Sequence, residues 1–409
     1  GKVSQPIDTI RIMLDDALVA IDHSITGNQR EDQLYHAYNL LHHHQKTVTI
    51  NALYAMLEGQ VAVLSSGALS PQQALTVVEA LFDSDLYRDD QHSFLLYPDR
   101  DLPGFLEKNR VPEEKVAAIP LLQKMLAEND DSILLRDSDG TYRFNAAITN
   151  SGILDNHLDA LIDVYGDDIE EARDALRELY ENVFNHQAFT GRSGGMFGFE
   201  GLGCIYWHMV SKLLLAVQEN FFMALEQGAD DDTCRQLGRL YYRVREGIGF
   251  NKSPAEYGAF PTDPYSHTPR YAGAQQPGMT GQVKEEILTR FGELGIRVNQ
   301  GAVHFRPDLL RSSEFISSSR TFRYLDVEDK WQTITVMARG LAFTWCQVPV
   351  LYLWNDDLQP ALNITWDDGR QEVLTRLLLS AEESSELFRR SGRIRQLTVI
   401  LTSEQLFSD

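Results

Sequence analysis

The apolar spacing of this chain changes once, at Gly295, and that change limits the folds open to it. Before Gly295 apolar side chains recur every three to four residues, the spacing of helices that bury one face. Ile10, Met13, Leu14, Ala17, Leu18 and Ile21 set this pattern near the start. The same spacing predicts helices over 7–25, 33–44, 49–65, 71–83, 112–129, 153–164, 170–184, 203–226, 232–246 and 280–294. Ser70 before Pro71 reads as an N-cap followed by proline at the first helical position. Beyond Gly295 the segments 296–298, 302–305, 333–337, 341–346, 350–354, 363–366, 372–379 and 394–401 alternate, or are short and β-branched. The expectation is a mainly α region followed by an all-β end. Residues 1–295 are expected to pack paired inner and outer helices into an α/α toroid of the six-hairpin type. Residues 296–409 are expected to form a C-terminal β-sandwich.

A small hairpin is predicted inside the helical region, where Ile133-Leu134-Leu135 and Tyr142-Arg143-Phe144 flank an Asp139-Gly140 turn. Asp137-Ser138-Asp139-Gly140 also starts with the spacing of a calcium loop. Ile148 stands where such a loop needs its closing glutamate, so no metal is assigned there. His42-His43-His44 is no better a metal site on a predicted helix, because consecutive helical side chains point in different directions.

Charge excludes some partners. The 409 residues hold 59 Asp and Glu against 37 Lys and Arg, a net charge of −22 spread along the chain. Nucleic acid and anionic membranes need a net basic surface, so neither is an expected partner. The three cysteines, Cys204, Cys234 and Cys346, form no close-spaced pair. That argues against a redox or zinc motif and for a reducing, cytoplasmic setting. No secretory signal is evident, and the apolar run Leu213–Val217 is far shorter than a bilayer span. The chain opens at Gly1 without a methionine, so an N-terminal domain of the same protein is a further expected partner. Neither a Gly-x-Ser-x-Gly elbow nor a His-Glu-x-x-His motif occurs.

Two segments concentrate chemistry. Gly191–Gly203 packs six glycines, Arg192, Ser193 and Glu200 into thirteen residues ahead of a long apolar helix. Glycine lets backbone N–H groups approach a ligand closely, and a helix N-terminus favours negative charge. Arg192, Ser193 and the N–H of Gly194 therefore read as an anion cradle. Close helix packing is the competing explanation for the glycines. Glu200 is a candidate general acid, or else a residue that caps the helix dipole. Trp207 is a candidate stacking platform for a sugar ring, and equally a core residue. His208 and Lys212 share a helix face at i, i+4.

The second segment, Tyr257–Met279, is a loop of unusual length, rich in groups that hydrogen-bond sugars. Asp263 is its candidate acid. Tyr265, Gln275, Gln276 and, on the following helix, Gln282 are candidate substrate ligands. His267 and Arg270 are candidate phosphate ligands. The loop serves equally as a crossover between the helical and β regions. Three shorter clusters, Tyr35–Asn39, Glu58–Gln60 and Arg88–His92, place polar and aromatic groups at predicted helix ends. Asp90 and Gln91 are taken from them as further substrate ligands.

Tyr35–Leu40, Leu57–Gly67, Asp90–Pro98, Phe189–Ala216 and Ala272–Glu286 together resemble the C-terminal part of large bacterial proteins related to cellobiose phosphorylase. The resemblance implies an α/α toroid beside β-sandwich domains. It implies an inverting glycoside phosphorylase that uses one carboxylic acid, with inorganic phosphate as co-substrate and no cofactor. The partner would be an oligosaccharide or polysaccharide. The family's catalytic aspartate does not align with a particular residue, so Glu200 and Asp263 are assigned by position. An inverting hydrolase would instead need a second carboxylate about 6.5–9.5 Å away to activate water. A non-catalytic carbohydrate-binding portion of a larger enzyme is another alternative. So is a polysaccharide lyase using Tyr265, His267 and Arg270, though the chain's acidity disfavours an acidic substrate.

Overall fold

The helix Trp207–Gln227 is apolar on almost every side, which is the pattern of a central helix. In the computed structural model it packs against the helices Leu57–Leu64, Pro71–Phe82, Asp231–Glu246 and Met279–Glu293. The structure describes residues 4–44, 47–98, 103–185, 205, 207–248 and 279–408. They form two compact units, one of Gly1–Pro98 with Cys204–Asp409 and one of Asp99–Gly203.

In the first unit the polar residues of the central helix tie it to its neighbours. Asn220 Nδ2 donates to the carbonyls of Leu64 and Ala216, each at 2.8 Å. Gln218 Nε2 donates to the Thr289 carbonyl at 2.8 Å. Ser70 caps the helix Pro71–Phe82 in a reciprocal capping box with Gln73, as its position before Pro71 predicts.

The change of spacing at Gly295 marks the step from helix to strand. The helix Met279–Glu293 ends there and the strand Ile296–Asn299 begins. Gly295 has φ +71°, and a Cβ on it would lie 2.1 Å from the Arg306 backbone, so only glycine fits. Beyond it a five-stranded sheet runs in the order Gly340–Trp345, Val348–Trp354, Ile394–Leu401, Ala361–Trp366, Gln371–Leu374. Its one parallel pair is Val348–Trp354 with Ile394–Leu401. Leu397, Val399 and Leu401 alternate into a second core with Val350, Tyr352, Leu362 and Ile364. The expected division at residue 295 separates helical from β elements inside this first unit.

Two predicted helices are replaced near the N-terminus. Residues 33–38 are not helical, and Asn39–His44 pairs antiparallel with Thr47–Ala52 in a hairpin. Thr47-Val48-Thr49-Ile50 is a β-branched run, which favours a strand over the helix read from apolar spacing alone. The helix there is confined to Leu57–Leu64. The helix predicted over 7–25 forms as Ile7–Gly27, with no buried residue along its length.

The second unit holds its own core, including Leu122, Ile133, Leu154, Leu158, Ile169 and Leu176. The helix expected over 112–129 divides into Glu113–Ala117 and Pro120–Ala127. Ile119 is extended before Pro120, as the proline ring demands of its predecessor. The predicted hairpin forms as Leu134–Arg136 paired with Tyr142–Phe144. Asp137 closes its turn, accepting from the backbone N–H groups of Asp139 and Thr141 and pairing with Arg143.

Candidate functional site

Tyr87–Arg88 and Ser93–Phe94 form a short antiparallel hairpin joined by the 3₁₀ turn Asp89–Gln91. His92 completes the turn in the left-handed region, at φ 49°. An aromatic cluster holds the hairpin, with the rings of Phe82 and Phe94 4.9 Å apart and those of Phe82 and Tyr87 5.0 Å apart. The Arg243 guanidinium lies 3.7 Å from the Phe82 ring centre. The hairpin is thereby fixed to the helices Pro71–Phe82 and Asp231–Glu246.

Two described positions from elsewhere in the chain, Ile205 and Gly247, lie against this hairpin. Leu95 forms an antiparallel bridge with Ile205, where the glycine-rich segment rejoins described structure. The Leu57 N–H donates to the Leu96 carbonyl at 3.0 Å, bringing the start of the helix Leu57–Leu64 to the same place. Gly247, at the end of the helix Asp231–Glu246, lies against the turn, and a Cβ on it would sit 2.1 Å from the His92 carbonyl oxygen. Ser93 is fully buried, and its hydroxyl has no hydrogen-bond partner among the described residues.

Of the residues predicted from sequence, Asp90 and Gln91 are in this turn. Arg88 grips Asp90 at 2.9 and 2.8 Å, and that hydrogen bonding holds the Asp90 carboxyl below the usual range. Trp207 follows Ile205 closely and is 2% exposed, within the helical core. That burial agrees with the packing role weighed against stacking. His208 and Lys212 are half-buried on one face of the same helix. Gln282 lies in the helix Met279–Glu293. Glu200, Asp263, Tyr265, Gln275, Gln276, Arg192, Ser193, Gly194, His267 and Arg270 lie outside the described residues.

A buried charge network between the helices Asp231–Glu246 and Met279–Glu293 was not anticipated. Glu293, 1% exposed, accepts from Tyr241 Oη at 2.6 Å and pairs with Arg245 at 2.5 Å and Arg290 at 2.6 Å. Arg290 also pairs with Glu314 at 2.7 Å. Burial, and then the charge of Glu293, push the Tyr241 hydroxyl well above its ordinary pKa. The i, i+3 spacing of Arg290 and Glu293 is visible in sequence, but the approach of Tyr241 and Arg245 needs the folded helices.

These features define a class of architecture, a helical and β parent whose chain departs after Pro98 and returns at Ile205. Residues 102–187 match the family model described as GH149 phosphorylase insertion domain 2. The match lies within the second unit, and it supports a glycoside-phosphorylase-like family. No curated protein matches the chain. Among the described residues no helix is long and apolar enough to cross a membrane.

Proposed function

We propose that the chain is part of an inverting glycoside phosphorylase, with the helical region as an α/α toroid and the β region as a sandwich. Glu200 or Asp263 protonates the glycosidic oxygen as the bond to the anomeric carbon breaks. A phosphate oxygen attacks that carbon from the opposite face, giving a sugar 1-phosphate and a shortened glycan. One acid suffices, because phosphate replaces the base-activated water of a hydrolase. Arg192, Ser193, the Gly194 N–H, His267 and Arg270 cradle the phosphate. Asp90, Gln91, His208, Tyr265, Gln275, Gln276 and Gln282 contact the sugar, while Trp207 packs in the core.

The observation that carries this reading is the match of residues 102–187 to a phosphorylase insertion domain. The hairpin Tyr87–Phe94 supports it, because Asp90 and Gln91 lie in its turn and Ile205 and Gly247 lie against it. The test is turnover of β-linked disaccharides with and without phosphate, together with synthesis from sugar 1-phosphates. Phosphate-dependent turnover that Arg192→Ala weakens far more than sugar binding is the expected result. Sugar release without phosphate would move the assignment to a hydrolase. Glycan binding with no turnover of either kind would point to a non-catalytic portion.

A further inference from the structure

The hairpin of Arg320–Leu325 with Trp331–Val336, the turn Cys346-Gln347 and the start of the strand Ile394–Leu401 enclose a cleft of about 240 Å³. That is below the range of about 300–1,000 Å³ for sites that hold drug-sized ligands, and it suits one small ring. We propose that this cleft binds a single neutral sugar ring, with Tyr324, Gln332, Gln347 and Arg395 as its hydrogen-bonding groups. The choice of a sugar rests on the phosphorylase reading, while the cleft and its polar groups stand without it.

The fold holds these groups in place before any ligand arrives. Tyr324 and Gln332 are directly opposed across the antiparallel pair, so both side chains leave the same face of the hairpin. The Tyr324 ring stacks on Phe322, with centres 5.9 Å apart and planes 11° apart. Gln332 Nε2 donates to Asp326 Oδ2 at 2.8 Å. Gln347 Nε2 donates to the Asp326 carbonyl at 2.9 Å and to Asp329 Oδ1 at 3.2 Å. These acceptors fix each amide nitrogen at the Asp326 turn, so each amide presents its Oε1 away from it. Cys346 and Gln347 lie in the left-handed region, at φ 52° and 64°, in a two-residue turn that usually takes Asn-Gly. The cross-link from Gln347 to the neighbouring turn offsets that strain.

The Asp326 carboxylate is already satisfied, accepting from the Glu328 and Lys330 N–H groups at 2.9 Å each besides Gln332. It frames the cleft, and the binding falls to its neighbours. Among the described residues the Tyr324 hydroxyl and the two Oε1 atoms make no hydrogen bond. Arg395 reaches Glu328 at 3.9 Å, beyond hydrogen-bond distance. Two acceptors, a guanidinium donor and a hydroxyl that does either match ring hydroxyls, each of which both donates and accepts. Val348 and Ile394, each 3% exposed, and Pro349 supply an apolar floor for the C–H groups of a ring. Asp326, Glu328 and Asp329 outnumber Lys330 and Arg395 around the cleft, which disfavours an anion there. The cleft therefore differs in kind from the phosphate cradle proposed above.

The test is an NMR titration of the full chain with glucose, cellobiose and maltose, followed at the Gln332 side-chain amide, alongside phosphorolysis assays. Loss of that resonance in Gln332→Ala assigns it, and thermal melting establishes that each variant folds. The expected result is a saturable shift of the resonance with at least one of the sugars. Tyr324→Phe and Arg395→Gln should each raise its Kd about fivefold, equivalent to about 1 kcal/mol for one lost hydrogen bond. No saturable shift with any of the three sugars would overturn the proposal, as would an unchanged Kd in both folded variants. A saturable shift with acetate or inorganic phosphate alone, abolished by Arg395→Gln, would overturn it in favour of an anion site. The two proposals fail separately. Phosphorolysis without a sugar-dependent shift rejects the cleft alone, and a sugar-dependent shift without phosphorolysis rejects the phosphorylase alone.

Discussion

Leu95 and Ile205 are bridged as neighbouring strands, although the whole of the second unit lies between them in sequence. The parent chain is therefore continuous in space across the point of insertion. Its departure and return share one hairpin with the turn that carries Asp90 and Gln91.

Residues 103–185 should fold when produced alone. Leu122, Ile133, Leu154, Leu158, Ile169 and Leu176 are all fully buried within that segment. Asn109, 1% exposed, clamps Phe144 through its N–H and carbonyl at 2.9 Å each. A helical circular dichroism spectrum with one cooperative thermal transition is the expected outcome. A gradual, non-cooperative loss of signal would contradict it.

Gly247→Ala should disturb the hairpin from a distance. Gly247 has φ −72°, which alanine adopts freely, so the backbone conformation is no obstacle. The obstacle is the His92 carbonyl oxygen, 2.1 Å from the new methyl position. Overpacking of this kind costs about 1–3 kcal/mol. Denaturant titration should show that loss, with glycan turnover falling as the Asp89–Gln91 turn shifts. Unchanged stability would mean that the turn yields without cost.

Glu293→Gln should be among the most damaging single changes in the first unit. It removes the charge of a carboxylate that is 1% exposed and leaves Arg245 facing a neutral group, while Arg290, 38% exposed, keeps its pair with Glu314. Because both arginines are partly solvated, the loss should be about 2–3 kcal/mol, below that for a fully buried pair. Tyr241→Phe removes only a hydroxyl donor and should cost about 1–2 kcal/mol. Chemical denaturation of both variants checks the order, and a larger loss for Tyr241→Phe would contradict it.

Asp137 should make the second unit sensitive to acid. Hydrogen bonding with Asp139, and then with Arg143, holds its carboxyl down to about 2 against an ordinary value of 3.8. A depressed native pKa stabilises the fold above the unfolded value and is lost as pH falls toward the folded one. The melting point of Asp137→Asn should therefore lie below that of the natural chain at pH 7, with the gap closing between about pH 4 and pH 2. A gap that persists unchanged at pH 2 would assign the loss to packing.

Part of this fold is legible in sequence because it is local. The Ser70–Gln73 capping box, the Asp139-Gly140 hairpin and the change of spacing at Gly295 each arise from residues a few positions apart. The hairpin Asn39–Ala52 was misread because its apolar residues fit both helix and strand spacing over so short a run. Of the candidate site, the Arg88–Asp90 turn lay within the cluster singled out from sequence. The closing of Gly247 on His92 did not, since nothing in either residue names the other.

The sequence alone determined that helix gives way to strand at Gly295, and which residues cap and turn several of the elements. Those are consequences of backbone preference and side-chain spacing, which act over a few residues. Only the tertiary structure decided that Ile205 returns to Leu95, that Glu293 is buried among Tyr241, Arg245 and Arg290, and that Gln347 meets the Asp326 turn at a cleft. Such contacts depend on how buried apolar faces pack to exclude water. That packing is a property of the whole core, so no local stretch of sequence encodes it.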